Sequence, residues 1–416
     1  MNSLIVISLI LTPGTTLRLQ GKSGGGAFQM SMARHTFSVG ALFALLLIAA
    51  LPAQSQTEMT LYTFTGGSDG GKPASTLIFD KVGNLYGTTQ TGGAGSGTVF
   101  ELSPDGHGGW TESVLYAFTG GTDGSEPGYA PLIFDAAGNL YGTTYMGGAK
   151  RQGVVFELTP AEGSWKETVL YSFVGSKKDG GNPEGAIVMD GAGNIYGTTV
   201  HGAGTRGAVY ELSPAGGGAW TERVIYGVEA SDGGLAMDGV GDLFGTSRDK
   251  KIFELSPNGK GGFNAIVVYT FLDGEIPQGT LAFDGRGSLY GTAYPGGEFG
   301  GGTVYRLTPG KNGWNEETLE SLQRHSPDPF HPLSGVVVDG SGNVFGTTVS
   351  GGTARDGTLF ELVPTGGSYT LNILWNFNGD GADPHGGLVR DGAGNLYGTA
   401  YFGGHENAGT VVEVTP

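Results

Sequence analysis

The sequence predicts an all-β chain: a single seven-bladed β-propeller of four-stranded blades, closed by an N-terminal strand that completes the last blade. Three observations lead there. A motif of the form D-x-x-G-x-(L/I/V)-(Y/F)-G-T occurs seven times, opening at Asp80, Asp135, Asp190, Asp238, Asp284, Asp339 and Asp391, with spacings of 46 to 55 residues. Each copy carries several short runs of strand character, and a repeat near this length built from short strands is the period of a propeller blade. The two ends of the repeat region are also complementary. The last copy stops after GTVVEVTP without a fourth run, whereas MTLYTF (59–64) stands before the first copy and matches the fourth runs VLYAF, VLYSF and VVYTF. Pairing this strand with the last blade leaves no open sheet edge where the ring meets itself.

The second copy shows how each element follows. APLIFD ends at Asp135 as the inner strand, and NLYGTT follows a short turn. GVVFELTP (153–160) is the third strand and WKETVLYSF (165–173) the outer one. In the turn, the Asp135 carboxylate is placed to accept backbone N–H groups, and Gly138 suits the left-handed conformation that ends a type I turn with a bulge. Glycine holds that turn position in all seven copies, as Gly83, Gly138, Gly193, Gly241, Gly287, Gly342 and Gly394, while the following Asn becomes Asp242 and Ser288. The backbone angle is therefore the requirement. The small residues of YGTT suit a sheet packed on both faces by neighbouring blades. The inner runs GAIVMD, GGLAMD, GTLAFD and GGLVRD begin with glycine, as expected of strands crowded around an axis.

Composition agrees. Of 416 residues 82 are glycine, 10% are aromatic and 15% charged, which is too apolar for a disordered linker and lacks the triplet period of collagen. Gly this dense means many tight turns between short strands. The net charge is −17, and only Arg18, Lys22 and Arg34 among the charged residues precede Glu58. Such a surface repels nucleic acid and anionic membranes. There is no cysteine, so no disulfide framework, thiolate nucleophile or Cys-based metal site exists. From Met32 the chain reads as an export signal: Arg34, an apolar run of about a dozen residues, then Ala53-Gln54-Ser55 as a small-x-small cleavage site. We therefore expect residues 1–55 to be an N-terminal extension and cleaved signal peptide, with 1–31 either an overlong leader or, the reading we favour, sequence upstream of the true start at Met32. Residues 56–416 form the propeller, a monomer that is secreted or extracytoplasmic, periplasmic or extracellular, with no membrane segment after cleavage.

The units GNLYGTT…GGxxxxGTVFELSP resemble the tandem Gloeobacter–Verrucomicrobia (GloVer) repeat of exported bacterial proteins, across essentially all of residues 59–416. The resemblance implies an extracytoplasmic location and, in many members, a C-terminal sorting anchor. Here the sequence ends at Pro416 directly after a strand. The family brings no established activity and no functional residues to carry over.

Candidate chemistry therefore falls to the loops. In this topology the loops entering each blade share a face with the loops between second and third strands. Five of the six histidines beyond the signal lie there: His201, His325, His331, His385 and His405, with only His107 on the opposite face. Tyr145, Tyr294, Tyr401 and Phe402 stand at the mouths of the same loops. Aromatics beside His and Asp suit a carbohydrate- or metal-binding rim. Polar loops with a chance excess of histidine are the plainer reading. The entering loops repeat an aspartate (Asp69, Asp123, Asp179, Asp232, Asp273, Asp328, Asp380). This ring offers carboxylates to Ca²⁺, but Asp-Gly is also the commonest turn dipeptide. No loop has the dense alternating carboxylates of an EF-hand. Structural turns are the expectation, with no cofactor and no metal site assigned.

Several enzyme signals fail on context. GGSDG (66–70) fits a nucleophile elbow, but its counterpart GGTDG marks it as a repeat turn. The Gly-rich strings have no helix after them, which excludes a dinucleotide fingerprint. Trp110, Trp165, Trp220 and Trp314 open outer strands at one position and Trp375 lies within one, so they read as packing. Glu101, Glu157, Glu211, Glu254, Glu361 and Glu413 recur in the third strand, with Arg306 in the remaining copy. A residue repeated in every blade is architectural, because an active site needs asymmetry. Two functions remain: an exported binding or scaffold module for a glycan or protein partner, acting through one loop rim, or an extracytoplasmic propeller enzyme, a glycan lyase or hydrolase. No catalytic residue is assigned.

Overall fold

The computed structural model describes residues 57–416 except 177, 203–205, 230–232, 273 and 326, together with three short strands before them. Those strands, Ile7–Ile10, Arg18–Ser23 and Gly26–Ser31, form an antiparallel sheet within a compact unit, Met1–Ser55, separate from the second unit, Gln56–Pro416. The export-signal segment lies outside the described residues.

The second unit is all-β, with seven antiparallel sheets in a ring and no helix among the described residues. Blade 2 is representative: Ile133–Phe134, Leu140–Thr144, Val154–Ala161 and Ser164–Ser172, in that order outward. Blade 7 is assembled from both ends of the unit, Val389–Arg390, Leu396–Ala400 and Thr410–Thr415 being completed by Thr57–Thr63. The register runs from Thr410 opposite Thr63 to Thr415 opposite Thr57.

Each turn after an inner strand is built as its sequence requires. Asp80 Oδ1 accepts N–H groups from Val82, Gly83 and Asn84 at 2.8–2.9 Å. All seven turn glycines have φ between 84° and 104°, the left-handed region. The Asp then reaches outward to the second strand: Tyr86 Oη donates to Asp80 at 3.2 Å and lies 3.0 Å from Glu101 Oε1. Tyr141 makes the same pair with Asp135 and Glu157. The recurring third-strand glutamates are thus framework, and Arg306 in blade 5 pairs instead with Glu317.

The second strands are buried along Leu-Tyr-Gly-Thr-Thr, and their glycine admits an aromatic ring from the third strand. A Cβ at Gly142 would lie 2.6 Å from the Phe156 ring carbon Cζ. Gly142 and Phe156 are also register partners, so the two positions are one packing unit. Immediately before that aromatic, the pairing of third and outer strands shifts register in blades 1 to 6, and blade 7 shifts at Val411/Val412. Such bulges increase local twist, which blades radiating from one axis require.

Blades join through a second aromatic layer. Phe64, Phe118, Phe173, Phe271 and Phe377 follow the outer strands of five blades and are at most 3% exposed. Phe64 meets Phe100 of the next blade at 5.1 Å, Phe118 meets Phe156 at 5.1 Å, and Phe173 meets Tyr210 at 5.1 Å, all edge-on. Trp110 and Trp314 likewise pack across blade boundaries, against Tyr397 and Phe244. The tryptophans are packing residues.

Three of the entering-loop aspartates, Asp69, Asp123 and Asp179, are occupied by their own surroundings. Asp69 accepts from the Thr65 N–H at 2.8 Å and Tyr62 Oη at 3.1 Å, and Asp179 from Tyr171 Oη at 2.8 Å. Beside them the outer strand of the following blade presents Glu112, Glu167 and Glu222. Each has one buried carboxylate oxygen without a partner. Burial first, and the neighbouring Asp69, Asp123 or Asp179 second, push each of these carboxyls up to about 7. Asp232 and Asp273 lie outside the described residues. Among those described, no group of three or more His, Asp or Glu is arranged to hold a metal ion.

Inner strands are shorter than their sequence runs. In blade 2 only Ile133–Phe134 pairs with the second strand, and most other blades likewise pair two residues at this point. Residues just before them line the axis. Blades 1 and 3 regain pairing further back, through Gly71–Pro73 and Gly180–Pro183. At the axis the expected glycine crowding is present: a Cβ at Gly234 would overlap the Ala186 backbone, and one at Gly335 the Thr280 carbonyl.

Candidate functional site: the axial mouth

Six loops entering blades carry a residue followed by proline: Lys72-Pro73, Glu126-Pro127, Asn182-Pro183, Ile276-Pro277, His331-Pro332 and Asp383-Pro384. In five of them the first residue is left-handed, with φ between 56° and 67°. A non-glycine residue in this region is uncommon and costs energy that surrounding structure must offset. The offset is visible. The Glu126 N–H donates to Ser96 O of the previous blade at 2.9 Å, and its carbonyl accepts from the Tyr145 N–H at 3.1 Å. His331 repeats this with Gly301 O and the Val349 N–H, and Asp383 with Asp356 O and the Tyr401 N–H. At the point where the ring closes, the Lys72 N–H donates to Ala408 O at 2.6 Å. The proline packs on the glycine that precedes the third strand of the blade before, as Pro183 does on Gly153.

This staple aims the residue after proline at the axis. Those residues are Ala74, Gly128, Glu184, Gln278, Leu333 and His385, all different. In blade 2 a Cβ at Gly128 would overlap Gln90 Cγ, so the position is bare and the adjacent Tyr129 supplies the side chain. Together with Gln90 and Tyr401, which continue two second strands, they surround a cavity of about 380 Å³. Adjoining it, and sharing Ala74, Tyr129, Leu333 and His385, is a smaller space of about 240 Å³ lined by small groups such as Ala186, Gly279, Ser334 and Gly386 together with Leu281 and Leu388. On a scaffold that otherwise repeats sevenfold, the mouth is the asymmetric part.

Six of the nine residues expected at the rim gather near this mouth. Tyr401 Oη donates to Gln90 Oε1 at 2.8 Å, and its ring lies 5.2 Å from His385 and 4.8 Å from Phe402. Lys72 Nζ sits 5.3 Å from the centroids of both Tyr401 and Phe402. His385 Nε2 is 3.3 Å from Asp383 Oδ2. Tyr145 packs on Tyr129 at 5.3 Å, and Tyr294 on His331 at 3.9 Å. Burial holds the His331 imidazole below its ordinary value, with the nearby His385 and Arg324 adding to this and Asp383 opposing it. Burial, then Glu126 and Glu184, raise the Tyr129 hydroxyl to about 12.

The other three do not join them. His201, expected in a loop, lies instead in the extended second strand of blade 3, Ile195–Gly202, opposite Gly181 and exposed, and His325 is exposed on its own loop. His405 is 93% exposed and touches Glu406 at 2.9 Å. Sequence reasoning missed Ala74, Gln90, Tyr129, Glu184, Gln278 and Leu333. A signal was present: each of the six X-Pro pairs is followed by a position that differs from blade to blade, against a background of near-identical repeats.

The family profile of the Gloeobacter/Verrucomicrobia repeat matches residues 14–188, 97–251 and 234–416. No curated protein matches the chain in sequence. Among solved structures, two extracellular domains from Bacteroides thetaiotaomicron are similar, one described as part of a hybrid two-component system and one of a one-component system. Each is 13% identical at a TM-score of 0.54, covering 96% of this chain but 44% of the other. The chain thus spans less than half of those proteins' length. A Bacteroides fragilis protein described as a 6-phosphogluconolactonase is 14% identical at a TM-score of 0.50, over 83% of this chain and 88% of that one. At such identities the likeness is one of fold.

Proposed function

We propose, since the chain belongs to the Gloeobacter/Verrucomicrobia repeat family, that it works as an exported, extracytoplasmic binding or scaffold module for a glycan or protein partner. The loop face around the axis is its working surface. The observation that carries this reading is the ring of unlike residues at the axial mouth, each delivered by the same loop device. A scaffold that brings a different residue from each of six of its seven blades to a common centre is arranged for recognition. The similarity in fold to extracellular sensor domains supports an extracytoplasmic location and a binding role.

One observation favours a second reading. His385 beside Asp383 is an acid–base pair at the cavity edge, as a glycan lyase or hydrolase would need. A glycan array and a pull-down with the purified protein test the first reading, and reducing-sugar release from any glycan bound tests the second. A partner captured on the array but unchanged after incubation supports binding. Turnover that disappears in His385→Ala supports the enzyme. Binding that survives alanine at His385, Tyr401 and Gln278 together removes the mouth from either account.

A further inference from the structure

We infer that the axial mouth accepts the terminal unit of a neutral saccharide, inserted end-on between Tyr129 and Tyr401. This rests on the reading of the loop face as a binding surface and names its ligand class.

The geometry fixes the mode of entry. The cavity is walled by residues from blades 1, 2, 3, 5, 6 and 7, so a long chain lying across the face would meet only its edge. A chain end or a single ring can descend. The adjoining space is smaller, about 240 Å³, which limits how much of a chain can follow its end.

The polar groups fix the chemistry. Three side chains at the mouth are each anchored through one polar atom and keep another for a ligand. Gln90 is held through Oε1 by Tyr401, leaving its amide N–H groups as donors. Gln278 donates through Nε2 to the Tyr294 carbonyl at 3.0 Å and the Ile276 carbonyl at 3.4 Å, leaving Oε1 as an acceptor. His385 is held through Nε2 by Asp383, leaving Nδ1. A ligand that meets a donor on one side and an acceptor on another must itself both accept and donate. Hydroxyl groups do so; carboxylates and phosphates only accept, and ammonium groups only donate. The surrounding charge points the same way. Glu126 and Glu184 bear on Tyr129, which disfavours an anion. Among the described residues the cation lying over the mouth's aromatic rings is the chain's own Lys72, which covers Tyr401 and Phe402. Tyr129, 39% exposed, offers a ring face of the kind on which a pyranose can rest.

The test uses the purified protein with D-glucose, D-galactose, D-mannose, L-fucose and N-acetyl-D-glucosamine, plus D-glucuronate and D-glucosamine as charged arms, read by saturation-transfer NMR and competition titration. At least one neutral sugar is expected to bind, with the two charged arms tenfold or more weaker than their neutral counterpart, D-glucose. Tyr129→Ala and Gln278→Ala should each weaken binding roughly tenfold or more, and His405→Ala should leave it unchanged. Tyr401→Phe keeps the ring and releases Gln90, giving a milder loss that does not depend on refolding the mouth. Melting temperatures of all variants confirm that the fold is intact. If neutral sugars bind but Tyr129→Ala and Gln278→Ala bind them as well as the wild type, the axial site is wrong and the loop-face reading stands. Equal binding of glucuronate overturns the neutral class. If array glycans bind while no free monosaccharide does, end-on capture is wrong; if neither binds, the saccharide class is wrong and the loop face is left to a protein partner.

Discussion

Replacing Phe64 by alanine tests whether the seventh junction of the ring is a junction like the others. Phe64 follows the only outer strand that lies far in sequence from the blade it completes. Its side chain is fully buried, edge-on to Tyr62 at 5.0 Å and to Phe100 of blade 1 at 5.1 Å. Truncating a fully buried phenylalanine costs ~3–5 kcal/mol, from lost transfer energy and the cavity left behind. The ring pairs are part of that sum and are not added to it. A domain of ordinary stability has about 5–15 kcal/mol in total, so the loss would be large. Phe118 and Phe173 supply internal standards: both are fully buried and meet Phe156 and Tyr210 at 5.1 Å. Urea unfolding followed by tryptophan fluorescence should give the same loss for Phe64→Ala, Phe118→Ala and Phe173→Ala, within about 1 kcal/mol, with unchanged denaturant slope. A cost under about 1 kcal/mol at Phe64 alongside full costs at the other two would refute the reasoning. The closing strand would then fray independently of the ring. Deletion of residues 56–66 should be still more damaging, and a truncated chain melting like the intact one leads to the same conclusion.

Other expectations follow from the same architecture. Gly142→Ala forces a methyl group against the Phe156 ring and should cost ~1–3 kcal/mol, relieved when Phe156 is reduced to valine, a residue blade 7 carries at that place as Val412; no relief in the double variant would separate the two positions. Gly138→Ala should cost roughly 1 kcal/mol through its left-handed backbone alone, and leave ligand binding unchanged because its turn is on the opposite face. Stability should depend on pH in two opposed ways. Glu112, Glu167 and Glu222 are raised to about 7 in the folded state from 4.5, so the fold retains protons the unfolded chain has lost. Their stabilising contribution is complete below about 4.5 and fades as pH rises through 7. Asp135, Asp190 and Asp391 are held below their ordinary value despite burial, because turn N–H groups and asparagine amides bond the carboxylate. Their contribution is lost as pH falls below the usual carboxylate range. The melting temperature should therefore rise from pH 8 to pH 5 and fall in stronger acid, and converting the three glutamates to glutamine should flatten the upper limb. A curve that rises steadily from pH 5 to 8 would contradict the burial of those carboxyls.

The repeat made the scaffold legible. The period, the glycine of each turn and the orphan run 59–64 each have a local physical reason, and each maps onto one element. Inner strands were read too long because the glycines and β-branched residues of runs such as GAIVMD also suit an extended segment that pairs with nothing. Only the left-handed residue and proline before them show that the chain turns toward the axis. The mouth was half legible. Counting histidines found His331 and His385 but added His201, His325 and His405, which share a face with the mouth and not its position. Gln90, Gln278 and Glu184 belong to residue types too common to stand out. They are distinguished by place, one or two residues from an invariant feature, and place becomes informative once the loops are aligned on their prolines.

The proline-stapled loops divide responsibilities between neighbouring residues. Backbone bonds of Glu126, His331 and Asp383 hold the blades together, and the residue two places on (three after Glu126, where Gly128 must stay bare) does not take part in those bonds. Its side chain can be exchanged without asking the ring to refold. In engineering terms the protein is a keypad: positions 74, 129, 184, 278, 333 and 385 are keys on a rigid frame. A library randomised at those six positions should stay folded while its members diverge in what they hold, and new specificities would need no new loops.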